Sequence, residues 1–383
     1  MNKLIFPIAL LGIALTSCEK DPIPNPNGTF PGCTELSGTQ STTIILTNHV
    51  TDPAVPDYCI SGTYFVEADL IVQPGVFIQM NDDAKIHVRN GGSFKSVGTA
   101  AENIKIIGED SISSGQWANI HFSTHSLNNQ LVHTNIYGGG NSSTYQGMVF
   151  IGHQGTAFID NCGIYLSSTN GIMTENVDAG LLGISNCDFT LCGLYPINVH
   201  PKHVSAIASS ITGIGNTYDL IEVRTAQLQD DVTWNDAFFP YHVNSVLGVS
   251  SNLIVAPGTA FLFAPGASIQ VGTNGSLNCL GTATDRIRFR SDAQTQSPGS
   301  WVGVVFVGTT NPLNRFDYCD FSYGGGGVNY NGMITLWTNA YARVGNSSFS
   351  HSAGWGVYYN TWNSTFDNDG NNTWTNNALG DFN

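Results

Sequence analysis

The sequence predicts an all-β solenoid, a right-handed parallel β-helix built from two tandem copies. Three observations predict it: a composition poor in charge and rich in glycine, a long internal duplication, and short β-forming runs with no room for helices between them. Charged residues make up 11% of the 383 residues, where soluble domains carry about 25%. Exposed helix faces are built from Glu, Lys, Arg and Ala, so helical bundles are excluded. The 43 glycines exceed the usual ~7% share, and a hydrophobic fraction of 41% supplies a core and excludes wholesale disorder. A net charge of −15 sets the chain against nucleic acid as a partner.

The first residues address the compartment. Lys3 precedes the apolar run from Leu4 to Leu15, which is too short to span a bilayer as a stable anchor, and Leu15-Thr16-Ser17-Cys18 comes directly after it. The pattern resembles a bacterial lipoprotein signal, which implies cleavage before Cys18 and acylation of its thiol. Residues 1–18 are therefore assigned as signal with lipidated Cys18. Residues 19–32, with Pro22, Pro24, Pro26 and Pro31, form an extended tether. The lipid is the expected membrane contact, the outer membrane the expected location, and a periplasmic or surface-facing orientation is left open.

Seven thiols then remain. Cys33 and Cys59 bracket the first folded segment and are expected to pair in an oxidising compartment. Cys162 and Cys187 are expected to be small core residues. No zinc spacing is present, and neither a metal nor another cofactor is expected.

The duplication is the strongest signal in the chain. Asp57-Tyr58 is answered by Pro240-Tyr241, and Leu70-Ile71-Val72-Gln73-Pro74-Gly75 by Leu253-Ile254-Val255-Ala256-Pro257-Gly258, both at an offset of 183 in the numbering. Gly92-Ser93 answers Gly275-Ser276, and Gly98-Thr99-Ala100 answers Gly281-Thr282-Ala283; Trp117 and Trp301 match after a slip of one position. Pairing Gly215-Asn216-Thr217-Tyr218 with Asn371-Asn372-Thr373-Trp374 drops the offset to 156 and predicts one coil lost from the second copy. The copies are bounded at 33–224 and 225–383 and treated as one continuous solenoid.

Within each copy, Leu70 to Val72, Val76 to Ile78, Lys85 to Val88 and Ile104 to Ile106 are Val- and Ile-rich runs closed by turn formers. Such runs fit stacked coils ~4.8 Å apart. Asn161-Cys162 and Asn186-Cys187 repeat at a spacing of 25, a plausible coil length, and predict an asparagine ladder between Asn161 and Asn186.

These strings, with Gly-x-Trp at 115 and 299 and Tyr137-Gly138-Gly139-Gly140 and Tyr323-Gly324-Gly325-Gly326, resemble bacterial lipoproteins of the right-handed parallel β-helix repeat type in the pectate-lyase-like superfold. The resemblance implies the fold; that superfold hosts lyases, hydrolases, adhesins and inert stalks. The Asn-Thr-Asp and Arg-Ile-Lys strings of the galacturonan hydrolases are absent, and the adjacent pairs Asp82-Asp83 and Asp230-Asp231 do not recur between copies. Asn81-Asp82-Asp83 has oxygen donors for Ca²⁺, but an ordinary solvated turn is the favoured reading. His121, His125, His133 and His153 cluster in sequence, yet Val305 answers His121, which favours a strand slot over a metal ligand.

Two features suit binding. Arg286, Arg288 and Arg290 alternate with Ile287 and Phe289, placing three guanidinium groups on one strand face. Trp355, Tyr358, Tyr359 and Trp362 can stack on sugars or cap the open end of a solenoid. The leading reading is an exported, non-catalytic envelope protein that binds a polysaccharide or another surface. A polysaccharide lyase or glycoside hydrolase with unidentified groups, and a structural stalk, are the alternatives. The oligomeric state is left open.

Overall fold

A computed structural model describes residues 32–329 and 331–383. Cys18, the signal and residues 19–31 of the tether lie outside the described residues. The chain winds as an all-β parallel solenoid of about fourteen coils, matching the fourteen strands of its longest sheet. Each strand pairs in parallel with the strands one coil below and one coil above, as Lys85–Val88 does with Thr63–Val66 and Ile120–Phe122. Among the described residues the single helical segment is the six-residue 3-10 turn Pro201–Ala206, and no helix is long and apolar enough to cross a membrane.

The long sheet runs from Thr39–Gln40 to Thr373–Thr375. Two shorter sheets complete the cross-section of the N-terminal half, one of eight strands ending at Thr212–Ile214 and one of six ending at Gly180–Ser185. Two new sheets, starting at Gln227–Leu228 and Val232–Trp234, replace them in the C-terminal half. The changeover rotates the repeated strings. Phe77–Met80 belongs to the eight-stranded sheet, whereas its counterpart at the offset of 183, Ala260–Phe263, belongs to the long sheet. Lys85–Val88 belongs to the long sheet, whereas its counterpart Ser268–Val271 lies in the next sheet round. Corresponding strands are thus displaced by one face.

The offset does not fall to 156. Thr373–Thr375 pairs with Ser348–Ser350 just as Asp188–Thr190, its counterpart at an offset of 185, pairs with Gly163–Tyr165. The shared Asn-Thr-aromatic texture at 216 and 372 therefore joins turns that do not correspond, while among the described residues the long sheet still has fewer strands within 225–383, six against eight within 33–224.

Period-two alternation builds the core. In Lys85–Val88, Ile86 and Val88 are buried, while Lys85 and His87 face outward. One core column of the long sheet is a stack of rings: Phe261, Phe289, Phe321, Phe349 and Trp374, with successive centroids 5.0, 4.5, 4.8 and 4.6 Å apart. Their counterparts in the first half, at offsets between 183 and 185, are Ile78, Ile106, Ile136, Ile164 and Phe189, which align coil upon coil in the eight-stranded sheet. Trp117 and Trp301 are both fully buried, and their indole N–H groups donate to the carbonyls of Tyr137 and Ser322, each at 2.8 Å. Gly139 and Gly324 lie flat against these indoles, where an added Cβ would come within 2.6 and 2.9 Å of the ring.

Two tight corner columns, His133, Asn161 and Asn186 ahead of the eight-stranded sheet and Tyr318, Asn346 and Asn371 ahead of the long sheet, have φ between 46° and 55°. Asn residues are common there because their short polar side chains tolerate the left-handed region. The expected ladder between Asn161 and Asn186 does not form. Both amides donate instead to Asp160, at 2.6 and 2.9 Å, because an ionised carboxylate is the stronger acceptor. The ladder does exist at Asn371 and Asn346, at 3.1 Å. Cys162 and Cys187 are free and buried, and Cys33 is disulfide-bonded to Cys59 with Cα atoms 5.8 Å apart.

Candidate functional site

The outer face of the long sheet concentrates the polar chemistry. Strand register places Phe65, His87, His121, Phe150, Met173, Asn198, Glu222, His242, Leu262 and Arg290 in one outward column. Ten strands at ~4.8 Å spacing make a column about 43 Å long. Tyrosines from the turns ahead of the sheet roof it in two places. Tyr145 lies over His121 and Phe150, with centroids 4.6 and 4.9 Å away, and Tyr195 lies over His242 at 6.0 Å.

The middle of the column is a hydrogen-bonded chain of titratable groups. His242 Nδ1 contacts Glu222 Oε2, and His242 Nε2 lies 3.0 Å from Asp292 Oδ2. Glu222 also accepts from Asn244 Nδ2 and from the Tyr195 hydroxyl. Tyr195 stacks on the exposed Tyr218 at 4.8 Å. Glu222 and His242 are buried, while Asp292 and Tyr195 reach partly into solvent. Burial works against a charged imidazole, but hydrogen bonds and charge from Glu222 and then Asp292 outweigh it and raise His242 above its ordinary value. Burial, followed by the Glu222 charge, pushes the Tyr195 hydroxyl up. Each ring nitrogen faces a carboxylate oxygen, an arrangement that favours the imidazolium form of His242. Tyr195, Glu222, His242 and Asp292 thus form one continuous hydrogen-bonded chain.

Sequence reasoning missed Glu222, His242 and Asp292. The signal that could find the first two is the pair Ile221-Glu222-Val223-Arg224 and Tyr241-His242-Val243-Asn244, which alternates apolar and polar in register at a spacing of 20. A coil of that length differs from the spacing of 25 between Asn161 and Asn186. Asp292 arrives from two coils further on, beyond any local spacing.

The arginine strip is shorter than expected. Arg288 and Arg290 are exposed on Ile287–Ser291. Arg286 precedes the strand, and its Nε and Nη2 both lie 2.8 Å from Asp320 Oδ1, so its charge is met within the fold. The register also sets Asp320 beside Arg288.

The C-terminal aromatic segment does not cap the solenoid. Trp355–Tyr359 is succeeded by one more paired strand, Gly380–Phe382, and the last lumen layer is filled by Phe366, Trp374 and Phe382, with centroids 5.5 and 5.8 Å apart. Tyr359 packs against that layer at 6.0 Å from Phe366, Tyr358 lies 6.5 Å from Trp337, Trp355 rests against Gly380, and Trp362 is 94% exposed away from all of them. These four residues form no common platform.

The four histidines are dispersed. His121 is buried in the outer column, His125 is exposed in a turn, His133 makes a corner, and His153 lies 3.3 Å from Asp178. Asn81 and Asp83 engage Gln79, Ser61 and Asn141 in a turn, while Asp230 pairs with Lys202 and Asp231 holds Asn252. Among the described residues no three His, Cys, Asp or Glu side chains converge as a metal ion requires. No family model matches the chain, and neither a curated protein nor a solved structure does.

Proposed function

We propose that this chain is an exported envelope protein, lipid-anchored through Cys18, that engages glycan along the outer face of its long sheet without cleaving it. The observation that carries this reading is the outward column, a row of rings and hydrogen-bonding groups about 43 Å long that ends at the Arg290 guanidinium. Such a row suits a linear polymer, since weak contacts repeated along one chain gain affinity by multivalency. Arg288 and Arg290 extend it with exposed guanidinium groups that match carboxylate or sulfate. The test uses the chain lacking residues 1–18 against uronic-acid, sulfated and neutral glycans. Arg288→Gln with Arg290→Gln is expected to weaken acidic-glycan binding several-fold while leaving circular dichroism unchanged. Full retention in that double variant removes these arginines from the reading, and an unmodified chain that binds no glycan leaves the stalk. Cys18→Ala is expected to abolish lipid labelling; unchanged labelling removes the anchor.

The Tyr195, Glu222, His242 and Asp292 chain favours a second reading, a polysaccharide lyase or glycoside hydrolase. Hydrogen-bonded titratable groups beside an exposed aromatic ring suit acid–base chemistry on a sugar. New reducing ends or unsaturated products, lost in Glu222→Gln, are the outcome that selects it.

We also infer that the two halves are tandem copies of one unit, wound with a right-handed sense, the second turned by one face about the axis. The matched environments of Trp117 and Trp301 and the strand-by-strand spacing support the tandem copies, and the sequence resemblance supports the right-handed sense.

A further inference from the structure

We propose that Lys85 forms a subsite for a single oxyanion, the carboxylate or sulfate of an acidic sugar, on the outer face of the long sheet. This rests on the reading of that face as the glycan-engaging one. Lys85 opens Lys85–Val88, faces outward and is half-buried. Its Nζ lies 3.0 Å from His121 Nδ1 and 4.4 Å from the centre of the Tyr145 ring. His121 Nε2 is 2.9 Å from Ser123 Oγ, which is 3.1 Å from His87 Nε2, and the two imidazoles stack at 4.4 Å with planes 11° apart. The surrounding strands offer no carboxylate to Lys85 among the described residues. Arg89, just past the same strand, takes Glu67 for itself at 2.9 Å.

Proton accounting fixes the roles. Burial first, then the charges of Lys85 and its neighbours, lower His121 to about 3 and His87 to about 4, so both rings are neutral near pH 7. Neutral rings fit a directed chain: Lys85 donates to His121 Nδ1, His121 Nε2–H donates to Ser123, and the Ser123 hydroxyl donates to His87 Nε2. Of the three ammonium hydrogens, one goes to His121 and one faces the Tyr145 ring, leaving the third for a ligand. Burial lowers Lys85 to about 8, the mark of an ammonium group in want of a counter-ion.

The fold does not require a cation in such a slot. At an offset of 183 or 184, Ser268, Gln270, Val305 and Val307 stand where the first half has Lys85, His87, His121 and Ser123, and their strands pair in the same way. A neutral set satisfies that backbone, so the charge at Lys85 answers something else.

An oxyanion binds the ammonium form, so affinity is expected to fall about tenfold between about pH 7 and pH 9 as Lys85 loses its proton. Of the groups facing it, His87, His121 and Tyr145, with Arg89 beside them, the two histidines are already neutral at pH 7 and add nothing to the change. Binding of uronic-acid and sulfated oligosaccharides to the chain lacking residues 1–18 is measured across that range. Lys85→Met is expected to lose about tenfold at pH 7 and to flatten the profile, whereas Lys85→Arg is expected to keep binding and flatten the profile. Whichever oligosaccharide shows the full pattern identifies the anion. Equal binding and an unchanged profile in Lys85→Met overturn the subsite. If the unmodified chain binds no glycan, the glycan reading falls, and labelling of Lys85 by a limiting amine-reactive reagent decides the subsite separately. Protection by acetate or sulfate retains it as an anion site, and labelling indifferent to both ions overturns it.

Discussion

His242 is the residue whose charge state the fold controls most directly. Glu222 and Asp292 raise it above its ordinary value against the opposing effect of burial. A raised folded value means that the imidazolium contributes stability in full below the unfolded value of about 6.5, and that this contribution is lost as pH rises through the folded value. Urea unfolding of the unmodified chain and of His242→Gln is therefore expected to differ more at about pH 6 than at about pH 9. A difference that is flat or grows with pH refutes the ion-paired imidazolium. Trp117 and Trp301 allow a second measurement at this scale. Each is fully buried and donates to a carbonyl at 2.8 Å, so Trp→Ala at either is expected to cost about 3–5 kcal/mol, by similar amounts. Gly139→Ala, whose Cβ would press on the Trp117 ring, is expected to cost about 1–3 kcal/mol through overpacking. The tryptophans were legible in the sequence because each stands two positions after a glycine, Gly115 and Gly299. Glu222, His242 and Asp292 were not, because their proximity is created by coils of unequal length.

At the scale of elements, alternation made the strands legible and left their neighbours hidden. The run Lys85 to Val88 is the observed strand, and Leu70 to Val72 falls short of Asp69–Val72 by one residue. The Arg288 and Arg290 pair was readable because side chains on one strand alternate faces, while the loss of Arg286 to Asp320 depends on a strand one coil further along. The sequence leaves the C-terminal aromatics between sugar stacking and capping, because Gly380–Phe382 has too few apolar residues to announce itself as a further strand. A further element-level device is the buried asparagine that starts a strand. Asn129 Oδ1 accepts from the Phe94 N–H, and Asn314 Oδ1 accepts from the Leu277 N–H, each at 3.1 Å. Asn129→Ala and Asn314→Ala each leave a buried donor unpaired and are expected to lose about 1–3 kcal/mol, measured by urea unfolding. A loss below a few tenths in both shows that water replaces the amide.

For the whole molecule, the long sheet is the common spine, while the sheets beside it change between Gly180–Ser185 and Val232–Trp234. Sequence revealed that a similar pattern occurs twice but not that corresponding strands lie one face apart, because an offset along the chain carries no angle. If the spine governs cooperativity, amides of Ile197–Val199 and Ile221–Val223 should exchange hydrogen as slowly as those of Lys85–Val88. Exchange more than about tenfold faster there marks a waist between two folding units. The disulfide also shapes how the molecule bears load. Between Cys33 and Cys59 lies the entire first coil, with strands Thr34–Leu36, Thr39–Gln40 and Ile44–Leu46. Tension applied to the chain ahead of Cys33 therefore crosses the sulfur bridge straight into Tyr58–Ile60, and the first coil hangs outside the load path as a closed loop. Tyr58–Ile60 is held from both sides, by Thr34–Leu36 and by Phe77–Met80. A pull from that end thus meets a strand gripped on two edges, where a reduced chain would offer a terminal strand to peel.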